Sequence, residues 1–235
     1  MTRRRWIADE VSGDRASLSG PHADHLSRVL RARPGQEFDI STPSGLRRGR
    51  IVEINQKRVD FALGEEVPAA AAPDITLLLS VFKFDRMEWA IEKCTELGAA
   101  RIVPVIAQRT EKHLAAAAEK RWDRWQRLVQ QAAEQSRRAK VPDMLRPARL
   151  QDAILRSAAT CIVLSEVEQE MTLKDLVRDA KSVALAFGPE GGWAESELKL
   201  FHEAGWVSGS LGGTILRAET AAIAGLAVAI AEMDG

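Results

Sequence analysis

The sequence predicts an α/β protein in two parts, a small β-barrel followed by a domain built on a parallel sheet. Three short alternating segments, at residues 37–40, 49–54 and 58–63, crowd the first quarter of the chain. The turn signals Arg33-Pro-Gly35 and Thr42-Pro-Ser-Gly45 set them apart, which is how small antiparallel sheets are written. From residue 75 onward, continuous apolar runs of strand length alternate with longer amphipathic stretches, the pattern of buried parallel strands covered by helices on both faces. Between the two lies Val67-Pro-Ala-Ala-Ala-Ala-Pro73, a small-residue run flanked by prolines with no amphipathic period, which reads as a linker. The expected domains are residues 1–67 and 74–235.

The elements follow in order. One helix fits residues 21–31, with Leu26, Val29 and Leu30 on one face. Strands are expected at 75–81, 101–107, 160–164 and 182–187. Helices are expected at 87–97, ending at Gly98, and at 119–139, carrying Trp122, Trp125, Leu128, Val129 and Ala132. Further helices follow at 173–180, at 194–204 before Gly205, and at 216–233. Trp122 and Trp125, at this spacing on an amphipathic helix, fit core or dimer packing better than base stacking.

Composition narrows the function. The chain has 235 residues, 46% of them hydrophobic, enough to bury a real core. No apolar run reaches membrane-spanning length, and the charged start at Arg3-Arg-Arg5 has no apolar stretch behind it, so neither a span nor a signal peptide is expected. Cys94 and Cys161 stand far apart without CxxC spacing, and His22, His25, His113 and His202 form no ligand pattern. No disulfide framework and no metal are expected, and a cytoplasmic location is. The net charge of zero hides a pattern: the balances over residues 1–60, 61–100, 101–150 and 151–235 are +4, −4, +7 and −7. Two basic segments, most of their cations arginine, suit a phosphate-bearing partner better than the average suggests.

The densest glycine signal is Gly188-Pro-Glu-Gly-Gly192, directly after a buried strand and before a helix. In an open parallel sheet, ligands sit beyond the carboxyl ends of strands, where glycines let backbone approach them closely. The segment lacks the ending of a phosphate loop and the spacing of a dinucleotide fold. Glu190 would repel a phosphate, whereas a cationic sulfonium such as S-adenosylmethionine tolerates a nearby carboxylate. A second glycine-rich loop, Ser208-Gly-Ser-Leu-Gly-Gly-Thr-Ile-Leu-Arg-Ala-Glu-Thr220, runs into an apolar helix. Two such loops can face each other across a flat adenine. Arg217 stands at that helix start, where the dipole disfavours a cation. It serves either a function or a salt bridge to Glu190 or Glu219.

Here a resemblance becomes specific. Gly188-Pro-Glu-Gly-Gly192, Leu211-Gly212 and Ile215-Leu-Arg-Ala-Glu-Thr-Ala221 resemble the RsmE family of SPOUT-class methyltransferases. So do His25-Leu-Ser-Arg-Val-Leu-Arg31 with Pro34-Gly35, Glu92-Lys-Cys-Thr-Glu-Leu-Gly98 with Ile102-Val-Pro104, and Gln131-Ala-Ala-Glu-Gln-Ser-Arg137 with Val141-Pro142. The blocks keep their order along almost the full length. Departures are Cys94 in place of an alanine and Trp193 in place of a smaller or different apolar residue.

The resemblance implies a PUA-like N-terminal barrel and a C-terminal SPOUT domain whose chain ends in a trefoil knot, otherwise nearly absent from proteins. It implies a homodimer, and methylation by S-adenosylmethionine of N3 of a uridine in 16S ribosomal RNA, in the assembled small subunit. The cofactor would lie bent among three loops, contacting Leu164, Gly188, Gly191, Gly192, Ser210, Leu211, Gly212, Ile215 and Leu216. N3 must lose a proton, so a positioned base or an anion-stabilising cation would help. Arg217 is the candidate for the uracil oxygens, with Glu190 or Glu219 orienting it. N3 lies on the Watson–Crick edge, so the base must be unpaired or extruded.

The RNA surface would combine Arg3, Arg4, Arg5, His25, Arg28, Arg31, Arg47, Arg48 and Arg50 with Arg109, Lys112, Arg137 and Arg138. Two other readings fit the same residues: a methyltransferase of the same fold on another ribosomal or transfer RNA nucleotide, and a noncatalytic RNA-binding assembly factor.

Overall fold

The computed structural model describes residues 5–55, 57–68, 73–136, 138–155, 160–168 and 170–233. Most of the expected linker, together with Arg3, Arg4 and Arg137, lies outside them. The chain divides into two compact units: residues 1–71 with 134–140, and residues 72–133 with 141–235.

The first unit is a curled sheet of β1 (Arg5–Ile7), β2 (Glu10–Ser12), β3 (Arg15–Ser19), β4 (Glu37–Thr42), β5 (Gly45–Asn55) and β6 (Arg58–Glu66). The strand order is β1-β4-β5-β6-β3-β2, antiparallel except for β1 beside β4. Only Ala8 and Asp9 separate β1 from β2. The Ala8 N–H donates to Ser41 O in β4 and the Asp9 N–H to Ser17 O in β3. One stretch of chain is thus bonded to both ends of the sheet, which curls it round. Alternation fills the interior: Val59, Phe61 and Leu63 of β6 point inward, against Ala16, Leu18, Ile40 and Ile51.

The expected helix 21–31 breaks in two. Helix α1 (Gly20–Asp24) passes into a π-helical turn, His25–Val29. The Ser27 hydroxyl donates to Ala23 O, the acceptor an α-helix would give to its own ladder. The next amide bond steps to five residues, Leu30 N–H to His25 O. The wider turn rotates Val29 out: Leu26 is fully buried while Val29 is 65% exposed, so the three-residue face expected from the sequence does not form.

The second unit holds β7 (Asp74–Ser80), α2 (Phe84–Leu97), β8 (Arg101–Ile106), α3 (Lys112–Gln135), β9 (Asp143–Met144), β10 (Ala148–Arg149), α4 (Leu150–Ala153), β11 (Thr160–Leu164), α5 (Leu173–Val177), β12 (Ser182–Phe187), α6 (Glu195–Glu203), β13 (Val207–Gly209) and α7 (Ala218–Met233). The last two residues of α3 cluster with the first unit. The strands run β10-β8-β7-β12-β11-β13, with β9 also on β8, and every pairing is parallel. Side chains of β12 alternate between two cores. Val183, Leu185 and Phe187 face the core shared with α2, α3 and α7, and Ala184 and Ala186 face Trp193, Phe201 and Trp206. A sheet buried on both faces is why these strands read as unbroken apolar runs.

Of the two tryptophans expected in core or dimer packing, Trp125 is fully buried, and half-buried Trp122 donates its indole N–H to Met144 O at 3.2 Å. Cys94 and Cys161 are not joined in a disulfide, and burial pushes the Cys94 thiol up to about 12. Helix α7 lies close on β12 at Gly225, where a Cβ would stand 2.9 Å from the Phe187 ring.

Candidate active site

Three loops leave the carboxyl ends of adjacent strands β12, β11 and β13, the edge where an open α/β sheet places its ligands. After β12, residues 188–192 form a tight turn closed by the Gly192 N–H donating to Pro189 O at 2.8 Å. Gly192 has φ +69°, a conformation that a side chain makes costly. Pro189 is buried beneath the turn while Glu190 is exposed on it.

Two neighbours hold that turn. The Arg109 Nη1, from the loop after β8, donates to Gly191 O at 2.6 Å. The buried Glu197 carboxylate accepts from the Ala194 N–H at 2.9 Å and the Gln108 N–H at 2.7 Å, tying the two loops at their bases. Glu166 of the β11 loop brings Oε1 to 3.4 Å from where a Cβ on Gly192 would stand. The same β11 loop is bonded to β13, with the Ser165 N–H donating to Gly209 O at 3.1 Å.

The third loop follows β13. Ser210 exchanges backbone bonds with the segment before α5, its N–H to Met171 O and the Leu173 N–H to its own carbonyl, both 2.8 Å. Its Oγ accepts from the Gly212 N–H at 3.0 Å, fixing the turn at Gly212, where φ is +114°. Leu211 and Leu216 are half-buried, and Ile215 is 80% exposed.

Arg217 ends this loop, exposed, its carbonyl accepting the Ala221 N–H at the first turn of α7. Among the described residues its guanidinium forms neither a hydrogen bond nor an ion pair, and the Glu190 carboxylate forms none either. Glu219 is buried and turns to Arg86, with Oε1 3.8 Å from Nε, leaving its Oε2 without a partner. The salt bridge that the sequence allowed between Arg217 and Glu190 or Glu219 is therefore absent, and neither carboxylate orients Arg217.

The basic residues separate into two kinds. Arg47, Arg48 and Arg50 are paired across the barrel with Asp14, Asp39 and Glu37. This spends charge that the sequence had assigned to phosphates. Exposed His25, Arg28 and Arg31 remain on the surface, although Arg28 lies 3.5 Å from Asp24. Arg5 and Arg138 are half-buried and line one cavity of the first unit, and burial lowers the Arg138 pKa. Lys112 is exposed.

Sequence reasoning missed Glu166, Glu197 and the role of Arg109 in the β12 turn. Glu197 carried a signal, a glutamate at the third position of a helix, where a carboxylate reaches back to free N–H groups. The other two carried none, because their partners are far along the chain. Among the described residues no group of His, Cys, Asp and Glu could hold a metal ion. None of their helices is long and apolar enough to cross a membrane.

Residues 70–230 match the family described as an RNA methyltransferase domain, which encloses all three loops. The ribosomal RNA small subunit methyltransferase E of Aquifex aeolicus is 30% identical over 220 residues, 93% of this chain and 95% of that one. The chain belongs to this ribosomal RNA small subunit methyltransferase E family. The crystal structure of the Neisseria gonorrhoeae member bound to S-adenosyl methionine superposes with a TM-score of 0.80 at 30% identity, covering 96% of this chain and 95% of that one. A Legionella pneumophila methyltransferase in complex with the same cofactor also gives 0.80, at 27% identity and 98% coverage of both.

Proposed function

We propose that this chain transfers the methyl group of S-adenosylmethionine to N3 of a uridine in 16S ribosomal RNA. The observation that carries the reading is the arrangement of the loops after β11, β12 and β13, set side by side at the carboxyl edge of a parallel sheet. The residues present fit such a cofactor. Gly192 and Gly212 hold positive φ, so these turns offer peptide groups where side chains would block a ligand. Ile215 presents a large exposed apolar side chain of the kind that walls an adenine site. Exposed Glu166 and Glu190 suit a sulfonium cation.

When bound, the cofactor supplies an electrophilic methyl group. The chain's own work is to orient and to manage charge. The loops around Leu164, Gly188, Gly191, Gly192, Ser210, Leu211, Gly212, Ile215 and Leu216 bind and align, converting a bimolecular encounter into a positioned one. Arg109 and Glu197 keep the β12 turn in shape. Arg217, whose guanidinium has no partner among the described residues, would hold the uracil oxygens as the N3 proton passes to solvent, and Glu190, exposed on the β12 turn, would share the site. The target base enters unpaired. We assign the RNA grip to residues 1–67 and transfer to residues 74–235, with a knotted C-terminal segment, a homodimer and the assembled small subunit as substrate.

Calorimetry and mass mapping test this. Wild type binds S-adenosylmethionine, while Gly192→Val and Gly212→Val stay folded and bind at least about tenfold more weakly, each being strained at positive φ. Small subunits from a strain lacking the enzyme, incubated with wild type and S-adenosylmethionine, gain one methyl group in their ribosomal RNA, at a uridine N3. No binding heat from wild type, wild-type affinity in both variants, or a methyl group on another position defeats the reading.

A further inference from the structure

The first unit contains a cavity of about 580 Å³ that the methyl-transfer site does not use. Its size lies within the range of roughly 300–1,000 Å³ usual for small-molecule sites. Three rings border it: the Trp6 centroid lies 6.1 Å from that of His22 and 5.8 Å from that of His25, tilted by 58° and 56°. Two guanidinium groups, Arg5 and Arg138, complete the wall with Glu134. The carboxylate is already engaged, its Oε2 2.8 Å from the His22 Nε2, while Asp9 approaches the other ring nitrogen at 3.7 Å. Among the described residues lining the cavity, two arginines stand beside one carboxylate. An aromatic surface beside two planar cations matches one ligand chemistry well, a flat base carrying a phosphate, since bases stack on rings and guanidinium forks onto phosphate oxygens.

We propose that this cavity holds one unpaired nucleotide of the substrate RNA, its base against Trp6 and His25 and its phosphate on Arg5 and Arg138. The inference rests on the reading of the chain as an RNA methyltransferase. It adds a second nucleotide contact, distinct from the target uridine, which enters at the glycine loops. Such a contact fixes the register of the RNA, whereas the charge on the barrel surface only attracts it.

The test uses the full chain with single-stranded oligouridine as probe and uridine 5′-monophosphate as the free-nucleotide control. Trp6→Leu should weaken oligouridine binding roughly five- to a hundredfold, the loss expected for one stacked base, and Trp6→Phe should restore most of it. Arg138→Gln should lower the slope of affinity against salt by about 0.7, the share of one phosphate contact on a single strand. His25→Ala, at an exposed position, serves as the second stacking variant if Trp6→Leu fails to fold. S-adenosylmethionine affinity should stay at the wild-type value throughout. If wild type methylates ribosomal RNA while folded His25→Ala and Arg138→Gln bind oligouridine as wild type does, the cavity is not an RNA subsite and the proposed function stands. If uridine 5′-monophosphate binds as tightly as the oligomer with the same sensitivity to these variants, the cavity is a free-nucleotide site and the RNA assignment falls. If wild type neither binds S-adenosylmethionine nor methylates RNA, the function itself fails, and this inference falls with it.

Discussion

Arg217 and Glu219 lie two residues apart at the start of α7 and meet opposite fates. The dipole at a helix start favours a carboxylate and disfavours a guanidinium. Glu219 takes the favoured role, buried against Arg86. Arg217 is left exposed at the end of the glycine loop, its guanidinium unpaired among the described residues, so its charge is available to a reactant. A lysine would keep that charge but lose the planar fork. Arg217→Lys should therefore lower single-turnover methylation by about a hundredfold, the scale on which one oriented transition-state donor is felt, with RNA and cofactor affinities within about twofold of wild type. Methylation at the wild-type rate, or a loss fully explained by weaker cofactor binding, would remove Arg217 from the chemistry.

At the scale of elements, His22 ties three pieces of backbone together: α1, the junction of β1 with β2 through Asp9, and the end of α3 through Glu134. The hydrogen bond to Glu134 raises the His22 pKa above 6.5, with smaller contributions from both carboxylates' charges and an opposing one from burial. The protonated form is thus the one the fold prefers. Its contribution to stability is fully present below the unfolded pKa of about 6.5 and is lost as pH rises through the higher folded value. Melting of the first unit, followed by amide exchange in β1 and β6 from about pH 5.5 to about pH 8.5, should show weakening protection as pH rises. His22→Gln should flatten that dependence. A wild-type profile that is flat, or that strengthens with pH, would show that the His22 bonds are not what holds these pieces together.

For the whole molecule, a net charge of zero conceals basic segments that fold differently. Arg47, Arg48 and Arg50 are consumed by cross-strand ion pairs, so the surface open to phosphates on the barrel is carried by fewer residues, Arg28 and Arg31 among them. Changing Arg28 and Arg31 together to alanine should weaken RNA binding and reduce its salt slope by about 1.4 if both touch a single strand, leaving cofactor affinity unchanged. An unaltered slope would move the phosphate-binding face elsewhere.

Much of this architecture is local and was legible in the chain. Residues 160–164 and 182–187 read as buried strands because, with both faces covered, all positions after the polar first residue are apolar, and the structure has strands at those bounds. The glycine turns read as binding loops because only a missing Cβ permits their backbone. By itself the sequence determined the class of fold, the elements with a strong period, and the positions of the glycine turns after β12 and β13. Short β9, β10 and β13 have too few residues for a period and exist because a neighbouring strand offers unpaired edges. The partners of Arg109, Glu219 and His22 are Gly191, Arg86 and Glu134, each far away along the chain. Only the tertiary structure decided those pairings, because a charge or a donor is committed by whatever folding brings within hydrogen-bond reach, and no local pattern records that distance.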